Sequence, residues 1–153
     1  MDVTLCVVGS KKRNMKLIFL ILMSAALTPV LGQKISADKL PAPVKESFAK
    51  MFPKVTDAKW EMEKKSEYEA SFKMDGKSMS ANFSDKGEWM ETETDIKTSE
   101  LPKSAVDFIN QNHKGSKIKE AAVIKKPNGV TRYEAEVNGK DIIFDEKGNH
   151  IQE

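Results

Sequence analysis

Cysteine is nearly missing from this chain: Cys6 is the single one among 153 residues. It stands in an N-terminal stretch that reads as a leader, and not directly after a small-residue cleavage motif, where a lipoprotein cysteine would sit. With the leader removed, no thiol is left. Thiol catalysis, thiolate metal sites and disulfides are then excluded, and stability has to come from packing and hydrogen bonds. Histidine is scarce as well, with His113 and His150 alone. Neither belongs to an H-E-x-x-H zinc helix, and no G-x-S-x-G elbow occurs. An excess of one charge is lacking too. The whole chain carries a formal +2; without residues 1 to 32, Lys+Arg falls from 25 to 21 and Asp+Glu from 23 to 22, leaving −1. Both signs alternate along the sequence, so no basic face for nucleic acid is expected. The one apolar run, from Leu17 to about Leu27, is shorter than the roughly 20 residues that a membrane-spanning helix needs.

That run has the setting of a secretory signal. Lys11, Lys12, Arg13 and Lys16 precede it, and small residues with Pro29 and then Val30-Leu31-Gly32 follow. This order of basic, apolar and small-residue regions predicts a signal peptide over residues 1 to 32, cleaved near Gly32–Gln33. A periplasmic or secreted location follows, with no membrane insertion after cleavage. Met15 opens a more ordinary signal than Met1, so the residues before it are either an extended basic region or an over-long start. About 120 residues remain, enough for one ordinary domain or for two very small modules that need each other.

The remainder is written twice. Leu40-Pro41 recurs as Leu101-Pro102, Phe48 as Ile109, Phe52 as His113, Phe83 as Phe144 and Lys86-Gly87 as Lys147-Gly148, all at one offset. Tyr68-Glu69-Ala70 returns as Tyr133-Glu134-Ala135 after small length changes. A tandem duplication is the reading, with a first repeat over 37–96 and a second over 97–153, together one compact domain. Each copy opens with a helix whose first residue is the proline, a position where a missing N–H costs little. Val44, Phe48, Met51 and Phe52 fall on one face of the first helix; Ala105, Phe108, Ile109 and the stem of His113 do so in the second. Pro53 and Gly115 end the two helices.

Strands follow. Ala58, Trp60 and Met62 alternate with charged residues, as do Tyr68, Ala70, Phe72 and Met74, then Met79, Ala81 and Phe83, then Tyr133, Ala135 and Val137. A period of two with one polar face predicts an antiparallel sheet covered on one side. Lys117 to Lys125 shows no clean alternation. Asp75-Gly76 and Asn138-Gly139 suit two-residue hairpins, and Asp85-Lys86-Gly87 and Glu146-Lys147-Gly148 suit longer hairpin loops. The fold class expected is therefore α+β: two tandem repeats, each one helix packed on a four-stranded antiparallel sheet. Thr92 to Glu100 is read as their connector. One such unit, under 60 residues, buries too little to be secure alone. Two units can extend one sheet or press their covered faces together.

The leader, the duplicated Leu-Pro helix, the Tyr-Glu-Ala strand and the Phe-x-[Asp/Glu]-Lys-Gly turn resemble the PepSY-like family of secreted bacterial proteins, related in fold to the β-lactamase inhibitory protein and common in Bacteroides and its relatives. The resemblance spans most of residues 37 to 153 and rests on caps, turns and core positions. It implies two tandem modules, a periplasmic address and a role in inhibiting or regulating partner proteins. The inhibitor's contact loops do not align with this chain and its disulfides have no counterpart, so no inhibitory residue carries over.

Candidate chemistry is thin. His113 and His150 read as rim residues with their rings against the core, and Trp60 as core. The acidic turns offer Asp85, Glu88, Asp145 and Glu146 as a weak calcium site, since calcium takes six to eight oxygens; turn chemistry alone suffices to explain them and is the favoured reading. Glu61, Glu63, Glu69, Glu91, Glu93, Glu134 and Glu136 lie on strands, where a carboxylate pair could serve a hydrolase, though alternation with lysine suits a solvated face. Trp89, between Glu88 and Met90, is the candidate anchor for a partner protein. The function expected is a non-enzymatic periplasmic binding or regulatory module, an inhibitor of a secreted or envelope enzyme among the options. It needs no cofactor and docks on another periplasmic or envelope protein. A calcium- or small-ligand-binding sensor is the first alternative, and a carboxylate-dependent hydrolase the second.

Overall fold

The computed structural model describes residues 33 to 152. The expected leader, its cleavage site, Met15 and Cys6 lie outside the described residues. Eight antiparallel strands form one sheet in strictly sequential order: β1 (Gln33–Ile35), β2 (Lys59–Lys64), β3 (Glu67–Met74), β4 (Lys77–Ser84), β5 (Trp89–Asp95), β6 (Ile118–Lys125), β7 (Thr131–Val137) and β8 (Lys140–Asp145). Two α-helices occur among the described residues, α1 (Ala42–Met51) before β2 and α2 (Lys103–Asn112) before β6. The expectation of two four-stranded sheets is thus corrected. The halves extend a single sheet, and β5 pairs directly with β6 from Thr92↔Lys125 to Asp95↔Ala122.

The second half also differs from the first. Four strands follow α1, but three follow α2; in the place of a fourth there is one isolated bridge, Phe144↔His150. It matches the Phe83↔Trp89 pair of the first half. The eighth strand is instead β1, which pairs with β2 and begins at Gln33. The segment read as a polar connector is half strand: Thr92 to Asp95 belong to β5, a 3₁₀ turn covers Thr98–Glu100, and the Ile96 N–H donates to the Ala121 carbonyl.

Register places both cores on the same face. Trp60 pairs with Ala70, Ala70 with Ala81, and Ala81 with Thr92. Thr94, two residues on, pairs with Val123, Val123 with Tyr133, and Tyr133 with Phe144. Residues paired across antiparallel strands share a face, so α1 and α2 lie side by side on one surface. Phe48 and Phe52 of α1 and its cap meet Trp60, Phe72 and Phe83 of the sheet; Ala105 and Ile109 of α2 meet Ala121, Ala135, Val137, Ile142 and Phe144.

The helices begin one residue later than expected. Pro41 and Pro102 are extended, and each carbonyl accepts the first helical N–H bonds, which makes them caps. Met51, expected on the buried face, is 38% exposed, because Phe52 as C-cap swings inward in its place. The Lys-Gly turns fit as expected, with a reason the alternation could not supply. Gly87 and Gly148 have φ of +76° and +80°, and each abuts a helix start. A Cβ on Gly87 would sit 2.4 Å from the Pro43 carbonyl oxygen. At Gly148 the neighbour is Ser104, whose hydroxyl donates to the Lys147 carbonyl.

A candidate interaction face

The helices cover one face of the sheet; the other carries no helix among the described residues. Its residues follow from the register. On β2 it presents Lys59 and Glu61; on β3, Glu67, Glu69, Ser71 and Lys73; on β4, Ser78, Ser80, Asn82 and Ser84. On β5 come Glu91, Glu93 and Asp95, and on β6, Glu120, Ala122 and Ile124. On β7 and β8 come Arg132, Glu134, Glu136, Asp141 and Ile143. Carboxylates far outnumber cations here, although the chain is close to neutral. The alternation of sign along the sequence is therefore sorted by the pleat, which sends acidic residues to the open face while many lysines lie on helices and turns.

The face is concave. Glu67, Met90, Glu91, Ile124, Lys126, Arg132, Glu134 and Ile143 line one depression of about 370 Å³. Glu67 is on β3 and Ile143 on β8, five strands away, which in a flat sheet is about 24 Å. One depression bounded by both requires the sheet to bend. Burial agrees: Ala122 and Ile124, on the open face of β6, are 4% and 7% exposed, while Val123 on the helix-covered face is only half-buried. The two hydrophobic cores stay separate at the seam, each against its own helix.

Two carboxylates of this face hold their protons unusually well. Glu93 is half-buried, with Ser80 and Ile124 opposite it on the flanking strands. Burial first, then Asp95, Glu69, Glu91 and Asp141, push its pKa up to about 7. Glu69 is raised as well, by burial and then by Glu63, against a weak 3.4 Å hydrogen bond donated by the Ser71 hydroxyl. The register sets no cation beside Glu93. In the depression, by contrast, Lys126 Nζ pairs with Glu91 Oε2 at 2.7 Å, and Glu67, Arg132 and Glu134 are each engaged with a neighbour. Neither Glu69 nor Glu93 lines it. The Asn82 amide oxygen, between Glu69 and Glu91 in the register, is buried with no partner among the described residues.

The residues singled out in the sequence fall elsewhere. Asp85 and Glu88 sit in the β4–β5 loop, Asp145 and Glu146 at and after the end of β8. The Asp145 carboxylate accepts from the Lys147 N–H, the Asn149 N–H and the Asn149 amide, which holds its pKa down and closes the turn. Among the described residues, no three His, Cys, Asp or Glu side chains gather as a metal site would require. Trp89 packs against the first core, half-buried, and its indole N–H donates to the Thr92 hydroxyl at 2.9 Å. Trp60 is buried. His113 caps α2, and His150 stacks on Phe108 with ring centroids 4.5 Å apart. Sequence reading found Glu61, Glu63, Glu69, Glu91, Glu93, Glu134 and Glu136, but not that one surface gathers them, because strand order across the repeat boundary is needed for that.

No curated protein matches this chain. Solved structures do. A candidate periplasmic protein from Bacteroides eggerthii is 22% identical, with 74% of this chain and 86% of that one covered at a TM-score of 0.65. A DUF2874 family protein from Bacteroides uniformis is also 22% identical, covering 73% and 86% at 0.64. A BLIP-like protein from Bacteroides fragilis is 24% identical, covering 72% and 82% at 0.58. At such identities the likeness is one of fold. No helix among the described residues is long and apolar enough to cross a membrane. The profile of the PepSY-like family, described as beta-lactamase-inhibitor-like, matches residues 29–77 and 66–152, and on that match the chain belongs to the PepSY-like family.

Proposed function

We propose that this protein is a non-enzymatic periplasmic binding module that docks through the concave, helix-free face of its sheet onto another envelope or secreted protein and regulates it, inhibition of an enzyme being the favoured outcome. The observation that carries the reading is the continuity of that face across both halves. Eight strands present one uncovered surface, curved enough to receive a convex partner and rigid because every strand is paired. The family's kinship to β-lactamase inhibitors and the BLIP-like relative's fold support a docking role. A carboxylate hydrolase is less well served. The carboxylates of the depression are paired or engaged, and Glu93, the best-placed proton donor, lies outside it.

Affinity capture from envelope extract tests the proposal, with the exported chain as bait. Wild type should retain one or a few proteins, and Ser80→Arg, which puts a bulky side chain in the middle of the face, should release them. Retention unchanged by Ser80→Arg would refute docking by this face. Turnover of a substrate by the purified chain, lost on a single carboxylate change, would refute the non-enzymatic reading.

A further inference from the structure

Resting on that docking reading, we infer that the partner's contact surface is cationic and centred on the β5–β6 seam, with a lysine or arginine of the partner against Glu93, and that docking weakens in mildly acidic surroundings. Charge complementarity selects such a partner. Along β5, Glu93 is flanked on the same face by Glu91 and Asp95. From β4 it faces Ser80 and Asn82, and from β6 Ala122, Ile124 and Lys126, whose ammonium is taken up by Glu91. Glu69 on β3 and Asp141 on β8 add further negative potential, and on β7 the residues beside the seam are Arg132, Glu134 and Glu136, the first two engaged with neighbours and Glu136 held by Lys119 Nζ at 3.1 Å, which also pairs with Glu120 at 3.4 Å. Lys34, Lys59 and Lys73, further cations of the face among the described residues, lie on β1, on β2 and at the far end of β3. The protein's own cations leave this spot negative, and the apolar floor of Ala122 and Ile124 strengthens whatever charge meets it.

Such a cluster links docking to protonation. Burial and like charges favour the neutral acid at Glu93; a cation brought against it favours the anion. Docking therefore expels the proton from that part of the Glu93 population that carries one near neutral pH, and affinity falls as the medium acidifies. Lysine and arginine of a partner stay charged throughout this range, and His113 and His150 are not on this face.

A fluorescein-labelled oligolysine peptide is the probe, with oligoglutamate as control, read by fluorescence anisotropy. Wild type should bind oligolysine, more weakly with added salt and about threefold to tenfold more weakly at pH 6 than at pH 8. Glu93→Gln should lose a similar factor at pH 8 and show little further change at pH 6. Glu46→Gln, on the exposed side of α1, should behave as wild type. Glu93→Gln removes a repelled charge, so it should melt no lower than wild type, and misfolding cannot imitate the result. Absence of oligolysine binding at low salt, equal binding of oligoglutamate, or an unaltered pH dependence in Glu93→Gln would overturn the inference. The capture experiment separates the two readings. Partners released by Ser80→Arg but indifferent to Glu93→Gln would leave docking standing and sink the cationic contact; partners indifferent to both would sink both.

Discussion

The two halves of this sheet hold the same positions with different volumes. In the first, Phe48 touches Phe52, Trp60 and Phe72 at centroid distances of 5.3, 5.0 and 5.4 Å, so a knot of aromatics fills the space under α1. In the second, Ile109, Ala121 and Val137 stand where Phe48, Trp60 and Phe72 stood, and Ile142 replaces Ala81. Some volume is restored from outside. Phe108 packs edge-on against Phe144 at 5.7 Å and is covered by His150. Duplication thus preserved where side chains point, which strand pairing dictates, and left their sizes free to drift as long as each core stayed filled. The second half, with fewer large groups and one strand fewer, leans on β5 for its seam.

The severest test of that dependence is Phe83→Ala, set against Phe144→Ala. Both rings are fully buried, and each change should destabilise by about 3–5 kcal/mol. If the second half leans on the first, Phe83→Ala should also weaken amide protection in β6 and β7, whereas Phe144→Ala should spare β2 to β4. Hydrogen exchange followed strand by strand decides this, and equal spreading in both directions would contradict the asymmetry.

The paired glycines sharpen the comparison next. Alanine at either is strained by positive φ, at about 1–3 kcal/mol. Gly87→Ala should exceed Gly148→Ala in denaturant melts, because the Cβ meets a carbonyl of the helix start at Gly87 and a rotatable hydroxyl first at Gly148. An effect at Gly148 equal to or above that at Gly87 would show that the Ser104 hydroxyl bond to Lys147 matters more than the overlap.

Glu93 has no counterpart in the second half, so the pH dependence of stability should belong to the first half and the seam. Its pKa, near 4.5 in the unfolded chain and about 7 when folded, means that the native state binds the proton more tightly. That contribution is fully present below about 4.5, declines as pH rises and is gone above about 7. Discounted for partial exposure, Glu93→Gln should stabilise by about 1 kcal/mol at pH 8, roughly 4 °C in Tm, and by almost nothing at pH 4. Thermal melts at the two pH values measure it; a gain at pH 4 as large as at pH 8 would mean that the charge is not the cause. The smallest effect concerns the replacement of Trp89 by His150. His150→Ala should cost about 0.5–1 kcal/mol through the lost stack on Phe108, and Trp89→Ala more, since the indole also gives up its bond to Thr92.

Much of this was legible before any coordinates. Pro41 and Pro102, the Asp75-Gly76 and Asn138-Gly139 turns and the strand alternation report local rules, and local rules survive without tertiary context. Lys117 to Lys125 was obscure for a physical reason: β6 is apolar on both faces, with Ala121 and Val123 toward the helices and Ala122 and Ile124 under the concave charges, so no period of two exists to be read. Thr92 to Asp95 reads as linker because this central strand carries polar side chains on both faces. The carboxylates were visible one by one, yet their convergence on one surface was not.

The sequence alone settled that a helix-and-meander unit is repeated, where its turns fall and which residues alternate, because backbone dihedrals and side-chain period are properties of neighbours along the chain. Only the tertiary structure decided that the units join edge to edge through β5 and β6, that both helices share one side, and that an acidic hollow with Glu93 at its seam is left on the other. Those outcomes depend on strand order and sheet curvature, which arise from contacts between residues far apart in the chain.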